Sequence, residues 1–365
     1  MRVLFAPDKF AGTLTAVQAA EAMARGWAHQ APGDELDLAP MSDGGPGFVD
    51  VLHAALGGQL HAVTVPGPFG DAVPATLLVA GDTAYVESAQ ACGLPLTGGQ
   101  RAEEASTVGV GTLVGLAVDA GVRRVVVGLG GSGTTDGGAG LLAALGAAAD
   151  VPLDRGPLGL AGVTSADLAA ARARVSGVAL VAASDVDNPL TGLFGAAKTY
   201  GPQKGISDDR LPAVDQVLER WAAAVDRRVA LEKGAGAAGG LGFALLALGA
   251  TREPGIGLVA AAVGLAERAR RADLVVTGEG AFDFSSRSGK VPYGVAEIAA
   301  EAVRPCITLA GQVLVGAREM RALGIESAYS LVDLVGEAAA LGDPVGSLER
   351  LAARTARTWS RDASE

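Results

Sequence analysis

Histidine, cysteine and aromatic side chains are scarce in this 365-residue chain: three histidines, two cysteines and 4% aromatics. Each shortage excludes something. Cys92 and Cys306 form no CxxC pair, so neither a disulfide scaffold nor a structural zinc site is expected, and a reduced, cytoplasmic setting is. His29, His53 and His61 all lie outside the glycine-rich motifs, which leaves a carboxylate or a lysine for any general base. With so few aromatics the core must be Ala, Val and Leu. Basic residues are outnumbered too: 29 Lys and Arg against 40 Asp and Glu give a net charge of −11. That argues against a nucleic-acid partner. It leaves anionic small molecules open, since a few lysines and backbone N–H groups suffice for them. Long apolar runs are absent as well. The most membrane-like window, residues 234–250, is interrupted by six glycines and is too short to span a bilayer. The opening MRVLFAPDKF is too short an apolar run for a signal peptide.

What the chain has in excess is glycine. Its 53 glycines are about twice the ordinary ~7% share, and many cluster between apolar runs. Short β-branched runs alternate with longer Ala/Leu-rich periodic stretches. Strands are expected at residues 2–6, 36–39, 60–65, 75–87, 123–127, 178–183, 273–277, 306–309 and 328–331. Thr15 with Gln18 is a capping box that opens a helix to about residue 30. Leu211, Val214, Leu218, Trp221 and Val225 repeat at helical spacing within an amphipathic helix over 207–228. This rhythm implies an α/β fold with mainly parallel sheets. In such folds ligands bind at strand C-termini. Six Gly- or Asp-rich segments fall there: Pro7–Lys9, Ser42–Gly45, Gly128–Gly140, Ser184–Asn188, Gly278–Gly280 and Gly311–Gln312.

The densest of these, Gly128–Gly140, reads GLGGSGTTDGGAG between a strand and a helix. A helix N-terminus with close-approaching glycine backbone is a natural anion site, so phosphate or carboxylate recognition is one reading. A tight strand–helix turn with close packing and no ligand is the other. Gly128–Gly133 also satisfies GxGxxG, with Asp150 near the ribose-binding distance, which admits a nicotinamide-dependent oxidoreductase. Asp136 at the phosphate end weighs against a dinucleotide. No stretch fits a P-loop; Ser288-Gly289-Lys290 comes closest, but Phe284 stands where the first glycine belongs. Lys204, in the GPQKG turn, could neutralise a phosphate. The acids Asp43, Asp136, Asp185, Asp187, Glu279 and Asp283 all sit in glycine loops, where singly each suits a turn or cap. Together they suit a metal-and-phosphate site.

In combination these segments resemble the bacterial type I glycerate kinase family. The matching pieces are Ala6–Asp8, Ser42–Gly45, Gly130–Ser132 with Asp136–Gly140, Asp185-Val186 with Asn188–Leu190, Gly201–Gly205, Gly234–Gly240, Thr277–Gly280 with Asp283, and Gly289-Lys290. They occur in the family's order over residues 3–312. The resemblance implies transfer of the γ-phosphoryl group of ATP to glycerate with Mg²⁺, giving 2-phosphoglycerate. It also implies two α/β domains with a cleft between them. One, Rossmann- or flavodoxin-like, takes residues 1–65 and 270–365; the other is inserted at 66–269. Implied partners are glycerate and ATP, with no nucleic acid or membrane, and with monomer or homo-oligomer left open.

Within such a cleft, Gly130, Gly131, Ser132, Gly133, Thr134 and Asp136 are expected at the nucleotide. Lys204 and Lys290 would neutralise phosphate, and Asp187 and Asp283 would hold the metal. Asp43 would be the base, and Asp8, Lys9, Asn188 and Glu279 would bind substrate. The chain departs from the family pattern at Ala11, usually lysine, and at Pro46, Thr135 and Ala281, usually Glu, Asn and Arg. Lys9, on the same side as position 11 of an extended segment, would replace the missing ammonium. These departures keep open a ligand sensor without turnover, beside the oxidoreductase reading.

Overall fold

The computed structural model describes residues 1–10, 12–283 and 290–360. Expectations placed on Ala11, Phe284, Ser288 and Gly289 lie outside the described residues. The strands run, in chain order, β1 Arg2–Phe5, β2 Glu35–Leu38, β3 Gln59–Pro66, β4 Ala72–Ala80, β5 Thr83–Glu87, β6 Arg124–Gly128, β7 Ala148–Ala149, β8 Ala166–Asp167, β9 Ala179–Ala183, β10 Thr251–Glu253, β11 Leu274–Phe282, β12 Cys306–Val313 and β13 Ser327–Ser330. They form an α/β architecture of open, mainly parallel sheets.

The chain divides into two compact units, Met1–Asp43 with Asp50–Leu56 and Ile256–Glu365, and Gly44–Val49 with Gly57–Gly255. The sequence-based division at 65/66 and 269/270 differs at both edges. Residues 59–65 belong to β3, which hydrogen-bonds along its length to β4 in the second unit's sheet.

The first unit carries a five-stranded, all-parallel sheet in the order β13-β12-β11-β1-β2. The order reverses between β1 and β11, which makes the carboxyl ends of these two strands the switch point where such sheets bind ligands. Val3, Leu4 and Phe5 are fully buried, so β1 is covered on both faces as a central parallel strand should be. The helix Ala16–Gln30 begins at the expected capping box, with Thr15 and Gln18 bonding reciprocally. It places Trp27 edge-on to Phe5, 5.7 Å between ring centroids. Helix Pro344–Trp359 packs along it so closely that a Cβ on Gly26 would lie 2.1 Å from Glu349 O.

Two glycine segments behave differently from the sequence expectation. Gly278–Gly280 and Gly311–Gln312 are interior to β11 and β12, which pair through Ala281↔Gln312 and Phe282↔Val313. Their glycines permit close strand approach: a Cβ on Gly278 would lie 2.3 Å from Leu309 O, and one on Gly311 2.3 Å from Gly280 O. Tertiary pairing overrides the local turn preference of glycine.

The second unit has a six-stranded sheet, β10-β9-β6-β5-β4-β3. Its β5, β6, β9 and β10 are parallel, and β3 and β4 form an antiparallel edge. Helix Leu211–Val225 buries Val214, Leu218 and Trp221 from the expected stripe. Among the described residues, no helix is long and apolar enough to cross a membrane.

Candidate active site

After β1 the backbone stays extended beside β11, with Ala6 N donating to Val276 O at 2.7 Å and Asp8 N to Gly278 O at 2.8 Å. Met41 N donates to Pro7 O at 2.9 Å, which fixes the segment leading from β2 to Asp43. These bonds bring Asp8, Lys9 and Asp43 together on a rigid frame. Lys9 Nζ lies 3.5 Å from Asp8 Oδ1 and 3.8 Å from Asp43 Oδ1. Glu279 is buried on β11, and Lys290 Nζ stands 3.6 Å from its Oε2 and 3.5 Å from Asp283 Oδ1. Asp8, Lys9, Asp43, Glu279, Lys290 and Gln312 line one cavity of about 390 Å³ at the switch point, and Ala281 sits on its wall. Burial, reinforced by the Asp43 and Glu279 carboxylates and opposed by Lys9, pushes the Asp8 carboxyl up to about 7. Six separately chosen residues therefore converge within one unit: Asp8, Lys9, Asp43, Glu279, Asp283 and Lys290.

In the second unit the glycine loop is put to another use. Asp136 is fully buried. Its Oδ2 accepts Thr107 N and Thr107 Oγ1 at 2.9 and 2.8 Å and Gly140 N at 3.2 Å, and its Oδ1 accepts Gly138 N at 2.9 Å. Leu141 N donates to Thr107 Oγ1. The first turn of the short helix Ala139–Ala144 thus has its anion already: the chain's own carboxylate stands where a phosphate was expected. The glycines admit protein, not ligand. A Cβ on Gly130 would meet Gly45 Cα at 2.5 Å, on Gly131 Pro46 Cδ at 2.7 Å, on Gly133 Thr97 Oγ1 at 2.4 Å and on Gly137 Trp221 Cδ1 at 2.5 Å.

Lys204 is also internal. Its Nζ donates to Ser132 Oγ at 3.0 Å and Thr134 O at 2.6 Å, tying the loop down from inside. Burial pushes its ammonium down to about 8, with Cys92 and Asp136 opposing. Thr134 is buried. Asp187 has both oxygens in ion pairs, with Lys233 at 2.9 Å and Arg252 at 2.7 Å, and the Lys233 hydrogen bond chiefly holds its carboxyl below the usual range. Asn188 uses both ends of its amide: Nδ2 donates to Phe194 O at 2.8 Å, and Oδ1 accepts Tyr200 OH at 2.7 Å. Asp136, Lys204 and Asn188 therefore shape loops, whereas the sequence pointed to ligand contacts.

The GxGxxG reading fails on the same geometry. The glycines are filled by neighbouring segments, the helix is capped by Asp136, and Asp150 is bonded to the Thr164 hydroxyl. Sequence reasoning also passed over Thr107 and Glu87. Thr107 completes the Asp136 cluster, and the buried Glu87 accepts Gly47 N and Val49 N at 3.1 and 3.3 Å. Neither belongs to a motif; only the fold brings their partners near.

The model of the glycerate kinase family matches residues 3–360. The chain belongs to the glycerate kinase family. It is 39% identical to the glycerate kinase of Bacillus subtilis over 345 residues, covering 91% of this chain and 90% of that protein. It is 35% identical to the glycerate 2-kinase of Escherichia coli over 349 residues, 92% of each. Its structure resembles a crystal structure of a Salmonella typhimurium LT2 protein provisionally named glycerate kinase 2, with TM-score 0.80, 35% identity and 98% of both chains covered. The protein is therefore an enzyme of this glycerate kinase family, which removes the sensor without turnover. The cavity of the first unit is its candidate active site.

Proposed function

We propose that the enzyme transfers the γ-phosphoryl group of ATP to D-glycerate in the cytoplasm, releasing ADP and 2-phosphoglycerate, with Mg²⁺ as the accompanying cation. The observation that carries this reading is the switch-point cavity, in which Lys9 and Lys290 stand among Asp8, Asp43 and Glu279, with Asp283 3.5 Å from Lys290. Phosphoryl transfer asks a protein for positioning and charge neutralisation more than for covalent chemistry, and this cavity supplies both signs of charge on rigid strands. Lys9 takes the glycerate carboxylate, replacing the ammonium missing from the sequence at position 11. Glu279 accepts a glycerate hydroxyl. Lys290 neutralises phosphate charge. None of the second unit's expected nucleotide contacts is kept in the proposal, because Gly130, Gly131 and Gly133 are filled by neighbouring segments and Ser132, Thr134, Asp136 and Lys204 are internal.

Mg²⁺ takes one or two carboxylates together with substrate phosphates and water. Asp283 fits as an oxygen donor: its half-exposed carboxylate lies 3.5 Å from Lys290, which lines the cavity. Asp187 does not fit, because both its oxygens already serve cations. When bound, the ion would offset the charge on the transferring phosphates.

The deciding experiment is ADP release from Mg·ATP with and without D-glycerate, followed by ³¹P NMR of the product. Glycerate-dependent ADP with a 2-phosphoglycerate resonance supports the reading. A 3-phosphoglycerate resonance corrects the acceptor oxygen. No glycerate-dependent ADP from folded protein removes glycerate as substrate.

A further inference from the structure

Asp8, Asp43, Glu279 and Asp283 are not held alike. Asp43 leaves 29% of its side chain exposed, and Asp283 37%. Glu279 is buried but has the Lys290 ammonium 3.6 Å from its Oε2. Asp8 combines burial with an open acceptor. Its residue is only 6% exposed, and both of its side-chain hydrogen bonds, from Lys9 N at 2.7 Å and Lys9 Nζ at 3.5 Å, fall on Oδ1. That leaves Oδ2 available within the cavity it lines. The backbone of Asp8 is pinned to Gly278 O on the neighbouring central strand, so the carboxylate is held by the sheet itself. Asp43, by contrast, stands at the start of the turn through Gly44, which has φ +92°.

We propose that Asp8 is the general base of the transfer, taking the proton of the acceptor hydroxyl on Oδ2 while Lys9 and Asp43 orient it. The inference rests on the glycerate kinase reading above, and it moves the base from Asp43 to Asp8. In the step, the hydroxyl O–H bond breaks and its proton passes to Asp8. The hydroxyl oxygen forms the new bond to the γ-phosphorus. The bond from that phosphorus to the bridging oxygen breaks, and its electron pair leaves on ADP. Nothing beyond ATP and the acceptor alcohol is consumed.

A base works best when its pKa lies near the working pH. Burial and the Asp43 and Glu279 carboxylates bring Asp8 to about 7 against the pull of Lys9. The charged groups around it in the cavity are Lys9, Asp43, Glu279 and Lys290.

The test compares wild type, Asp8→Asn, Asp8→Glu and Asp43→Asn. It measures kcat and KM for D-glycerate from about pH 5.5 to 9, glycerate binding by calorimetry, and circular dichroism to confirm folding. Asp8→Asn should lower kcat by ~10²–10⁴-fold while glycerate affinity stays within about fivefold. Asp43→Asn should lower kcat by no more than about tenfold. The acid limb of wild-type kcat should lie near 7, and in Asp8→Glu it should move while part of the turnover survives. An Asp8→Asn enzyme that keeps kcat within tenfold and loses only KM would overturn the proposal, making Asp8 a binding group with the kinase reading intact. A wild-type acid limb near 4 would overturn it as well, even if Asp8→Asn failed to fold. Wild type that makes no glycerate-dependent ADP would instead sink the underlying reading, and the proposal with it.

Discussion

Holding Asp8 ready should cost the protein stability, and the cost should depend on pH. An ordinary aspartate titrates at 3.8, whereas burial raises Asp8 to about 7 in the folded protein. The folded state therefore binds this proton more tightly than the unfolded state does. At pH below 3.8 both states are protonated, and the group costs nothing through ionisation. Between 3.8 and 7 the unfolded chain gives up the proton first, so stability falls as pH rises. Above 7 the penalty is complete. A shift of about 3 units, at ~1.4 kcal/mol each, sets it at about 4 kcal/mol, and water reaching the cavity should reduce it. Asp8→Asn keeps the shape and removes the ionisation. Thermal unfolding of the two proteins should give similar melting temperatures near pH 4. The variant should gain progressively up to pH 7 and hold a constant lead beyond it. Titrating groups remote from Asp8 cancel in the comparison. A gap that stays flat from pH 4 to 8, or that favours wild type as pH rises, would show that Asp8 is not held in a charge-averse site. Stability given up at an active-site residue is a common cost of function.

Four further outcomes follow from the second unit. Asp136→Ala leaves Thr107 N, Gly138 N and Gly140 N without their acceptor, and should destabilise the protein by about 4 kcal/mol or more in denaturant titration; a loss below 1 kcal/mol would contradict the internal-anion role. Gly137→Ala places a methyl 2.5 Å from Trp221 Cδ1 at a backbone φ of +63°, and should cost ~2–4 kcal/mol by the same assay. Lys204 titrates near 8 when folded against 10.5 ordinarily, so its burial penalty is full below pH 8 and fades as pH rises toward 10.5. Relative to Lys204→Met, wild type should gain up to about 3 kcal/mol across that window, read by unfolding at pH 7 and 9.5; a constant difference would argue against a buried ammonium. Asp187→Asn removes two ion pairs from a half-exposed carboxylate and should change stability by less than about 1 kcal/mol; a large rise in the Mg²⁺ needed for half-maximal rate would return Asp187 to the metal.

By itself the sequence determined the layered α/β class, the capped helix from Ala16 and the buried stripe of helix Leu211–Val225. These depend on local periodicity and on capping groups a few residues apart. It also marked the residues of the first unit's cavity, because acids and lysines beside strand ends are visible as motifs. Only the tertiary structure decided what each motif touches. Gly278 and Gly311 read as glycines of segments at strand ends, yet they lie inside paired strands, where β11 and β12 approach too closely for a side chain. Gly128–Gly140 read as a cradle for an outside anion. The fold filled it with Asp136 and tied it down through Lys204, which is 72 residues from Ser132 in the chain. A sequence shows which groups can donate, accept or carry charge. Which partner satisfies each is settled by contacts between segments far apart in the chain, because a buried polar group must find its partner wherever folding brings one within reach.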